Sequence, residues 1–280
     1  MAYRRDITDL THPDIALYNE RAEVRLKHLY EPEPGLFIAE SARVALRALE
    51  AGYRAHSLLI SEVEQEKEEV LRLQELAGDV PCYVGAEEVL AQITGYHLTR
   101  GVLCACYRRA LPDTKEILRD AKRVAVLEEI NNPTNAGAIF RNAAALGMDA
   151  VLLTEGCTDP LYRRAIRVSM GCVFALPWTF VKGNVCDLLK EEGFTTVATA
   201  LREDALPIQD ERLRNRERLA VFLGTEDSGL SAETIEACDF RVRIPMREGV
   251  DSLNVAAASA VIFYALTPDF SEEKPRIELY

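Results

Sequence analysis

The chain has 280 residues, of which 48% are hydrophobic and 28% charged, which is ordinary for a globular protein with one large domain or two smaller ones. Its net charge of −12 weakly disfavours nucleic acid as a partner, because phosphate contacts need Lys and Arg. With no stretch approaching the roughly 20 apolar residues of a membrane span, no signal-peptide core and irregularly spaced cysteines, we expect a cytoplasmic protein that has reduced thiols and no membrane segment.

The first 107 residues alternate between strand-like and helical segments, which predicts a small α/β domain. Ser41 is expected to cap a helix that ends near Gly52, because its hydroxyl can accept a backbone hydrogen bond. The other predicted helices cover residues 14–29, 63–77 and 86–93, and the predicted strands cover 36–39, 58–60, 82–84 and 102–107.

Residues 108–122 contain Leu111-Pro112 and many charges, and they are predicted to be a linker. The alternation then restarts, which predicts a second α/β domain over residues 123–280. Strands are predicted at 123–127, 150–153, 195–200, 219–223 and 242–245. Helices are predicted at 136–146, 161–169 and 186–191, and a last helix is predicted to end at about Tyr264.

The first candidate motif is NNPTNAGAIFRNA at residues 131–143, between a strand end and a helix start. Asn135 could cap the helix, and Gly137 would allow close backbone approach. Arg141 lies nearly two turns further along. The alternative is a purely structural cap followed by an exposed arginine.

Two further motifs follow in the last third of the chain. GTEDSGL at 224–230 lacks a lysine and contains two acids, so it suits a cationic or neutral ligand better than a phosphate, and Glu226 is its strongest candidate. IPMREGVDSLNVA at 244–256 contains Ser252 and Asn254 where a small-residue helix begins. Asn254 is expected inside the first turn of this helix. Its amide could bind a group at the site, or the residue could serve only as a cap beside a tight helix contact.

Other site types find no support in the sequence. No Gly-x-Gly-x-x-Gly corner follows an early strand, which disfavours a Rossmann site. The four histidines are all N-terminal and unclustered, so neither a metal site nor a Ser-His-Asp triad is predicted.

Together and in this order, the three motifs resemble those of the SpoU/TrmH family of RNA ribose 2′-O-methyltransferases. The match covers residues 123 to about 266, including DPLYRRAIRVSMGCVF at 159–174, which resembles the family's segment between motifs one and two. Residues 21–107 are similar, more weakly, to the substrate-binding domain often fused in front. One departure is Ser41, where relatives usually have glycine after the glutamate.

The resemblance implies an α/β catalytic domain with a deep C-terminal trefoil knot, behind an α/β substrate-binding domain at residues 1–107. It also implies a homodimer through the knotted domain and S-adenosyl-L-methionine bound in the knot. The motifs carry over three expected cofactor-binding residues, which are Gly224, Ile244 and Leu253. The loop after the 195–200 strand is expected to add Ala200 and Leu201.

For catalysis, the resemblance points to Arg141. A guanidinium keeps its proton, so we favour a clamp on phosphate and ribose that stabilises the developing alkoxide over a literal general base. Asn135, Glu226, Ser252 and Asn254 would position Arg141 and the ribose. Basic residues gather locally despite the net charge, and the candidates for RNA backbone contact are Arg108, Arg109, Arg163, Arg164 and Arg167.

The expected reaction is methylation of a ribose 2′-hydroxyl in structured RNA, with rRNA favoured over tRNA by the fused N-terminal domain. One alternative is a catalytically inactive RNA-binding knot protein in ribosome assembly, against which the five candidate catalytic residues argue. Another is an enzyme that methylates a base or a protein, against which the Asn–Arg spacing of the first motif argues.

Overall fold

In the computed structural model, the described residues are 2–8, 15–19, 23–31, 33–94, 101–225, 228–247, 249 and 252–267. Backbone contacts divide the chain into two compact units. Unit 1 comprises Met1–Ala110 and Leu161–Phe174, and unit 2 comprises Leu111–Pro160 and Ala175–Tyr280. The boundaries predicted from the sequence differ from this division, because they assigned 161–174 to the C-terminal domain.

The described part of unit 1 forms a five-stranded mixed sheet in the order β1-β4-β3-β5-β2. The strands are β1 (Tyr3–Asp6), β2 (Leu36–Glu40), β3 (Ala55–Ser61), β4 (Pro81–Gly85) and β5 (Val102–Tyr107). The helices, numbered along the whole chain, are α1 (Ala16–Asn19), α2 (Glu23–Lys27), α3 (Ala42–Glu50), α4 (Glu68–Ala77), α5 (Glu87–Thr94) and α8 (Arg163–Val168). Strand β5 runs antiparallel to both of its neighbours, whereas β1, β4 and β3 are parallel.

Two features of unit 1 differ from the sequence-based prediction. Strand β1 was missed because its sequence, YRRD, is exposed at every position and shows no apolar alternation. Such charge is typical of an edge strand, which it protects from pairing with other chains. The single helix predicted at 14–29 corresponds in the described residues to α1 and α2, and α2 ends at Lys27 before a turn.

Ser41 caps α3, as predicted, by accepting a hydrogen bond from the Val44 amide at 3.4 Å. Its φ of 86° lies in the left-handed region that favours glycine. This geometry gives a physical reason for a glycine at the position, and Ser41 bears backbone strain that its cap partly offsets.

The segment 161–174 belongs to unit 1 through aromatic packing and one backbone anchor. The Phe174 ring lies 5.6 Å from that of Phe37 and 5.3 Å from that of Tyr53, between centroids. The Arg47 guanidinium donates a hydrogen bond to the carbonyl of Met170. The sequence pattern could not show these contacts, because they join residues more than a hundred positions apart.

The described part of unit 2 forms a seven-stranded parallel sheet in the order β10-β12-β9-β11-β6-β7-β8. The strands are β6 (Arg123–Leu127), β7 (Ala150–Thr154), β8 (Trp178–Val181), β9 (Thr195–Thr199), β10 (Leu206–Pro207), β11 (Leu219–Leu223) and β12 (Phe240–Arg243). The helices are α6 (Thr114–Leu118), α7 (Pro133–Ala145), α9 (Val185–Glu191), α10 (Glu211–Arg214), α11 (Ala232–Ala237) and α12 (Val255–Leu266). The α/β class predicted from the sequence is confirmed.

The predicted linker contains helix α6, which Asp113 caps by accepting a hydrogen bond from the Lys115 amide at 2.9 Å. Ile117 and Leu118 on this helix are buried in the apolar core of unit 2. Residues 111–122 are therefore part of that unit rather than a free connection. The charges of the segment concealed its short apolar face.

Arg123 fastens the end of α12 to the sheet. Its side chain is only 5% exposed and donates hydrogen bonds to backbone carbonyls of Lys122, Arg214, Arg216, Glu217 and Leu266. Burial lowers the pKa of Arg123, and the nearby Asp149 carboxylate opposes that shift. The carbonyl partners satisfy a buried charge that would otherwise be costly.

In the described part of the chain, no helix combines the length and apolar character needed to cross a bilayer. All seven cysteines are buried and unbridged.

Candidate active site

A cavity of about 510 Å³ opens in unit 2 where β9, β11 and β12 end and α12 begins. Its volume is within the range of roughly 300–1,000 Å³ common for small-molecule sites. The five predicted cofactor-binding residues all line it, and so does Ser252: Gly224, Ile244, Leu253, Ala200 and Leu201. The carboxyl ends of parallel strands are the usual place for a ligand in an α/β sheet.

Gly224 is confined by the loop that it begins. A side chain at this position would overlap the backbone of Gly229 and Leu230. The loop closes on itself through two hydrogen bonds, from the Thr225 amide to the Gly229 carbonyl at 3.2 Å and from the Gly229 amide to the Thr225 carbonyl at 3.0 Å. Only glycine fits here, so this wall of the cavity is backbone.

The other walls are largely apolar, with Leu223, Val255 and Ile262 among them. The described lining includes two arginines, Arg202 and Arg243, and no carboxylate. The acidic rim expected from the sequence rests on Glu226 and Asp227, which lie outside the described residues. An apolar cleft with backbone polar groups fits an adenosine moiety.

The first motif begins its helix earlier than predicted. Asn132 caps α7 by accepting a hydrogen bond from the Thr134 amide at 2.9 Å, and Pro133 takes the first helical position. The expectation that Asn135 caps the helix was therefore wrong. Proline suits the first position because its fixed φ is helical and its missing N–H would be unpaired there. Asn135 lies within the first turn and is 7% exposed.

Asn135 and Asn254 meet, although 119 positions separate them. The Asn254 Nδ2 donates a hydrogen bond to the Asn135 Oδ1 at 3.3 Å. The Asn254 Oδ1 accepts from the amides of Ala256 and Ala257 at 3.0 and 3.4 Å. Asn254 is thus the N-cap of α12, not a residue inside its first turn as expected. The structural reading, a cap beside a close helix contact, is therefore present, and the same side chain also joins the third motif to the first.

Arg141 lies on α7 with its side chain exposed. No described residue gives it a hydrogen bond or an ion pair. Neither Arg141 nor Asn135 lines the cavity. The structure therefore brings Asn135 to Asn254 and Ser252 to the cavity, while Arg141 stands apart, and Glu226 lies outside the described residues.

Sequence reasoning missed Asn142, the residue after Arg141. Its Nδ2 donates to the Ala256 carbonyl at 2.8 Å and to the Ser259 Oγ at 2.9 Å, both on α12. The small residues of α12 allow this approach, as predicted for a helix that packs close to neighbouring backbone. Asn142 thereby links the helix of the first motif to that of the third.

Glu128, at the end of β6, was also missed. Its Oε1 accepts a hydrogen bond from the Ser231 amide at 2.6 Å, and its Oε2 accepts one from the Thr234 hydroxyl. Ser231 in turn caps α11. Glu128 thus holds the chain directly after the 224–230 loop. Its partners lie more than a hundred positions away, so no local pattern could reveal the contact.

The next residue, Glu129, has a φ of 58°, which is strained for a residue other than glycine. Its amide donates to the Thr154 Oγ1 at 3.1 Å, and its carboxylate packs against Gly156. This strain lies where β6 turns toward α7, beside the candidate site, as is common at functional sites.

The five candidate RNA-contacting arginines all belong to unit 1. Arg163 donates to the Tyr18 carbonyl at 3.1 Å, and Arg167 forms an ion pair with Glu40 at 3.5 Å. Arg164 is exposed on α8. Internal partners therefore hold Arg163 and Arg167, which reduces their freedom to bind a phosphate.

The remaining two arginines follow β5. Arg108 donates from Nε to the Leu36 carbonyl at 3.0 Å. Arg109 donates to the Ala51 carbonyl at 3.1 Å, and its guanidinium carbon lies 3.8 Å from the Tyr53 ring centroid. Their contact with RNA stays a prediction.

Within the described residues, no group of three His, Cys, Asp or Glu side chains is arranged to hold a metal ion.

Comparisons with known proteins indicate the same family as the motifs. A family model described as the SpoU rRNA Methylase family matches residues 122–264. An uncharacterized tRNA/rRNA methyltransferase of Mycobacterium tuberculosis is 36% identical over 271 residues, covering 94% of this chain and 91% of the relative. The 23S rRNA (guanosine(2553)-2'-O)-methyltransferase RlmP of Bacillus subtilis is 28% identical over 233 residues, covering 82% of this chain and 88% of the relative.

Solved structures agree in fold. The AdoMet-bound rRNA methyltransferase from Sinorhizobium meliloti has a TM-score of 0.76 and 25% identity, with 94% of this chain and 97% of that chain covered. An RNA 2'-O ribose methyltransferase has a TM-score of 0.74 and 28% identity, with coverages of 94% and 98%.

Proposed function

Because the chain belongs to the SpoU rRNA methylase family, we propose that it methylates a ribose 2′-hydroxyl of structured RNA, with rRNA rather than tRNA as the preferred substrate. It is an RNA 2′-O-methyltransferase that uses S-adenosylmethionine. The observation that most supports the site assignment is the hydrogen bond between Asn254 and Asn135, which joins the third motif, beside the cavity, to the first.

The residues of the cavity fit the cofactor. The backbone at Gly224, Ile244 and Leu253 would hold the adenosine, and the apolar lining would cover the purine. When bound, S-adenosylmethionine supplies a methyl group on a positively charged sulfur, which is already an activated donor. The protein therefore has to align the ribose and manage its proton rather than activate the donor.

The ribose side of the reaction is assigned to α7 and the start of α12. We propose that Arg141 clamps the phosphate and ribose and stabilises the alkoxide that develops as the 2′-hydroxyl releases its proton to solvent and its oxygen takes the methyl group, with S-adenosylhomocysteine as the leaving group. Its guanidinium keeps its proton and so serves as an electrostatic clamp rather than a base. Asn135, Ser252, Asn254 and Glu226 would position Arg141 and the ribose, with Asn254 fixed by its bonds to Asn135 and α12.

A trefoil knot and a homodimer belong to the same proposal. The knot is proposed from the resemblance of the three motifs to those of the family. The dimer is supported by exposed apolar side chains on α12, Val261 at 41% and Tyr264 at 68%. A cytoplasmic location is proposed because the named relatives modify rRNA.

The competing functions have less support. A catalytically inactive knot protein is not supported by the relatives, which are named as methyltransferases. The spacing of Asn135 and Arg141 resembles that in the ribose-directed branch of the family. This spacing disfavours methylation of a base or a protein.

The test is to map 2′-O-methyl groups across rRNA and tRNA in a strain lacking this chain and in its parent. We expect one rRNA ribose to lose its methyl group and to regain it when the wild-type chain is supplied. A methyl group lost from tRNA instead would contradict the preferred substrate, and a lost base methylation would contradict the reaction. An Arg141→Ala chain that restores the methyl group would contradict the assigned role of Arg141.

A further inference from the structure

Aromatic and cationic side chains gather at one end of the sheet in unit 1, among residues with no assigned role. Tyr107 is the centre of the group and the last residue of β5. Between ring centroids, Tyr30 lies 6.2 Å and His56 5.5 Å from Tyr107. The guanidinium carbon of Arg54 lies 5.1 Å from the Tyr107 centroid. We call these four residues the tyrosine platform.

A β-bulge builds the platform. Ala55 pairs with Cys106 and Ser57 pairs with Ala105, so His56 is the extra residue in β3. A bulge redirects the side chain of its extra residue and often occurs beside functional sites. Here it accompanies the placement of the imidazole against the Tyr107 ring, while the Tyr107 amide donates to the Arg54 carbonyl at 2.9 Å.

Buried hydrogen bonds hold the imidazole in place. The Tyr18 hydroxyl is paired with the Ser57 Oγ at 2.8 Å, and the Ser57 Oγ is paired with the His56 Nδ1 at 3.0 Å. Both Tyr18 and Ser57 are completely buried. Burial lowers the pKa of His56, so its ring is neutral at physiological pH. A neutral, oriented ring is suited to stacking.

The outer part of the platform is open to solvent. Tyr30 is 40% exposed, Arg54 is exposed, and His56 and Tyr107 are half-buried. The carboxylate of Glu31, next to Tyr30, is engaged by the His28 imidazole. The platform therefore presents an exposed aromatic ring and a positive charge side by side.

We propose that the tyrosine platform binds an unpaired nucleobase of the RNA substrate by stacking on Tyr30, with Arg54 contacting an adjoining phosphate. Sequence-tolerant RNA recognition commonly stacks splayed bases on aromatic rings and arginine planes. The inference rests on the proposed function, because it assumes an RNA substrate. It adds a base-binding site to unit 1, next to Arg108, whose expected partner is the RNA backbone.

The experiment measures fluorescence anisotropy of a labelled single-stranded oligoadenylate and of an abasic oligomer of the same length and charge. We expect Tyr30→Leu to weaken oligoadenylate binding about tenfold and Tyr30→Phe to change it less than about twofold, because stacking needs the ring and not the hydroxyl. Neither variant should alter binding of the abasic oligomer. Arg54→Gln should weaken binding of both and reduce its salt dependence by about one phosphate contact.

Three results would overturn the proposal that the platform binds a base. In the first, the wild type binds oligoadenylate no more tightly than the abasic oligomer. In the other two, Tyr30→Leu either leaves oligoadenylate binding unchanged or weakens the binding of both oligomers equally. Thermal melting and cofactor affinity of each variant confirm that it is folded.

Methyl transfer to total rRNA by the wild type separates the two proposals. If transfer occurs and Tyr30→Leu changes neither oligoadenylate binding nor the KM for rRNA, only the platform is rejected. If no RNA is methylated, the proposed function itself fails.

Discussion

The cavity proposed for the cofactor and the exposed side of α7 that carries Arg141 lie in the same unit but are held in different ways. The cavity is formed by strand ends and a loop that closes on its own backbone, with no room for a side chain at Gly224. Arg141 is exposed, and the described residues offer it no partner. Between the two, direct links come from the Asn135–Asn254 hydrogen bond and from the hydrogen bonds of Asn142 to α12.

Under the proposed function, the cavity walls are fixed by the chain's own backbone, whereas the anionic partner of Arg141 would come from the RNA. Preorganised polar groups stabilise a transition state most effectively in a water-excluded site. An exposed guanidinium does not meet that condition until substrate covers it. Substitutions on the two sides should therefore have separable effects on cofactor binding and on turnover.

The largest expected effect is that of Arg141→Ala. Turnover should fall by about a hundredfold to a thousandfold, the typical loss for removal of one donor to a developing oxyanion. The dissociation constant for S-adenosylmethionine should stay within about twofold of wild type, because Arg141 does not line the cavity. Single-turnover methylation and isothermal calorimetry measure the two quantities.

Arg212→Ala is the matched control, since Arg212 is an exposed arginine of unit 2 on α10, paired with Asp210 and outside the cavity lining. It should leave both turnover and cofactor affinity unchanged. Arg141→Lys keeps the charge but not the planar fork, so it should recover only part of the activity. Wild-type turnover by Arg141→Ala would remove the distinction between the two sides.

The next effect is expected for Gly224→Ala, which acts on the cavity side. The added methyl group would overlap the backbone of Gly229 and Leu230, and the loop must shift to admit it. Overpacking of this kind costs about 1–3 kcal/mol, so cofactor affinity should fall by roughly tenfold to a hundredfold. Calorimetric titration with S-adenosylhomocysteine measures the loss.

Gly229→Ala provides the comparison within the same loop. A side chain there meets no atom within 4 Å, but its φ of 69° lies in the left-handed region. It should cost about 1–2 kcal/mol in backbone strain without blocking the Gly224 position. If Gly229→Ala weakens the cofactor as much as Gly224→Ala does, then loop strain and not close approach shapes the cavity.

A smaller effect is expected for Asn142→Ala, which loosens the link between α7 and α12. It removes the hydrogen bonds to the Ala256 carbonyl and to the Ser259 Oγ. The Ala256 carbonyl still accepts a hydrogen bond from the Ser259 hydroxyl at 2.7 Å, so the expected cost is the loss of two hydrogen bonds, about 1–3 kcal/mol of the free energy of unfolding. Urea denaturation of Asn142→Ala, Ser259→Ala and the double variant measures the loss and the coupling between the two residues. Additive effects would show that the pair does not couple the helices.

The cavity side could be predicted from the sequence much further than the Arg141 side. Strand-end loops with glycine and proline are local patterns, and the five residues that the motif resemblance assigned to cofactor binding all line the cavity. Helix starts were less certain. Asn135 was predicted to cap the helix, but Asn132 and Pro133, three and two residues earlier, begin it.

Elements with little apolar character escaped prediction for a related reason. Strand β1 is made of exposed charged residues, and α6 contributes only a short apolar face, so neither shows the periodicity on which prediction depends. The tyrosine platform is equally hidden, because its residues come from three separate parts of the chain and one of them is placed by a β-bulge.

Glu128→Gln gives the smallest expected effect and the sharpest test of how the cavity loop is held. The carboxylate accepts from the Ser231 amide and the Thr234 hydroxyl, and the amide side chain of the variant replaces one acceptor by a donor and removes the charge. Charge-assisted hydrogen bonds are roughly twice as strong as neutral ones, so cofactor affinity should fall about threefold to tenfold with turnover at saturating cofactor unchanged. Glu129→Gln, one residue away with its carboxylate against Gly156, is the matched control and should leave affinity unchanged. Equal losses in both variants would mean that general negative charge at the end of β6, rather than the specific anchor, sets the position of the loop.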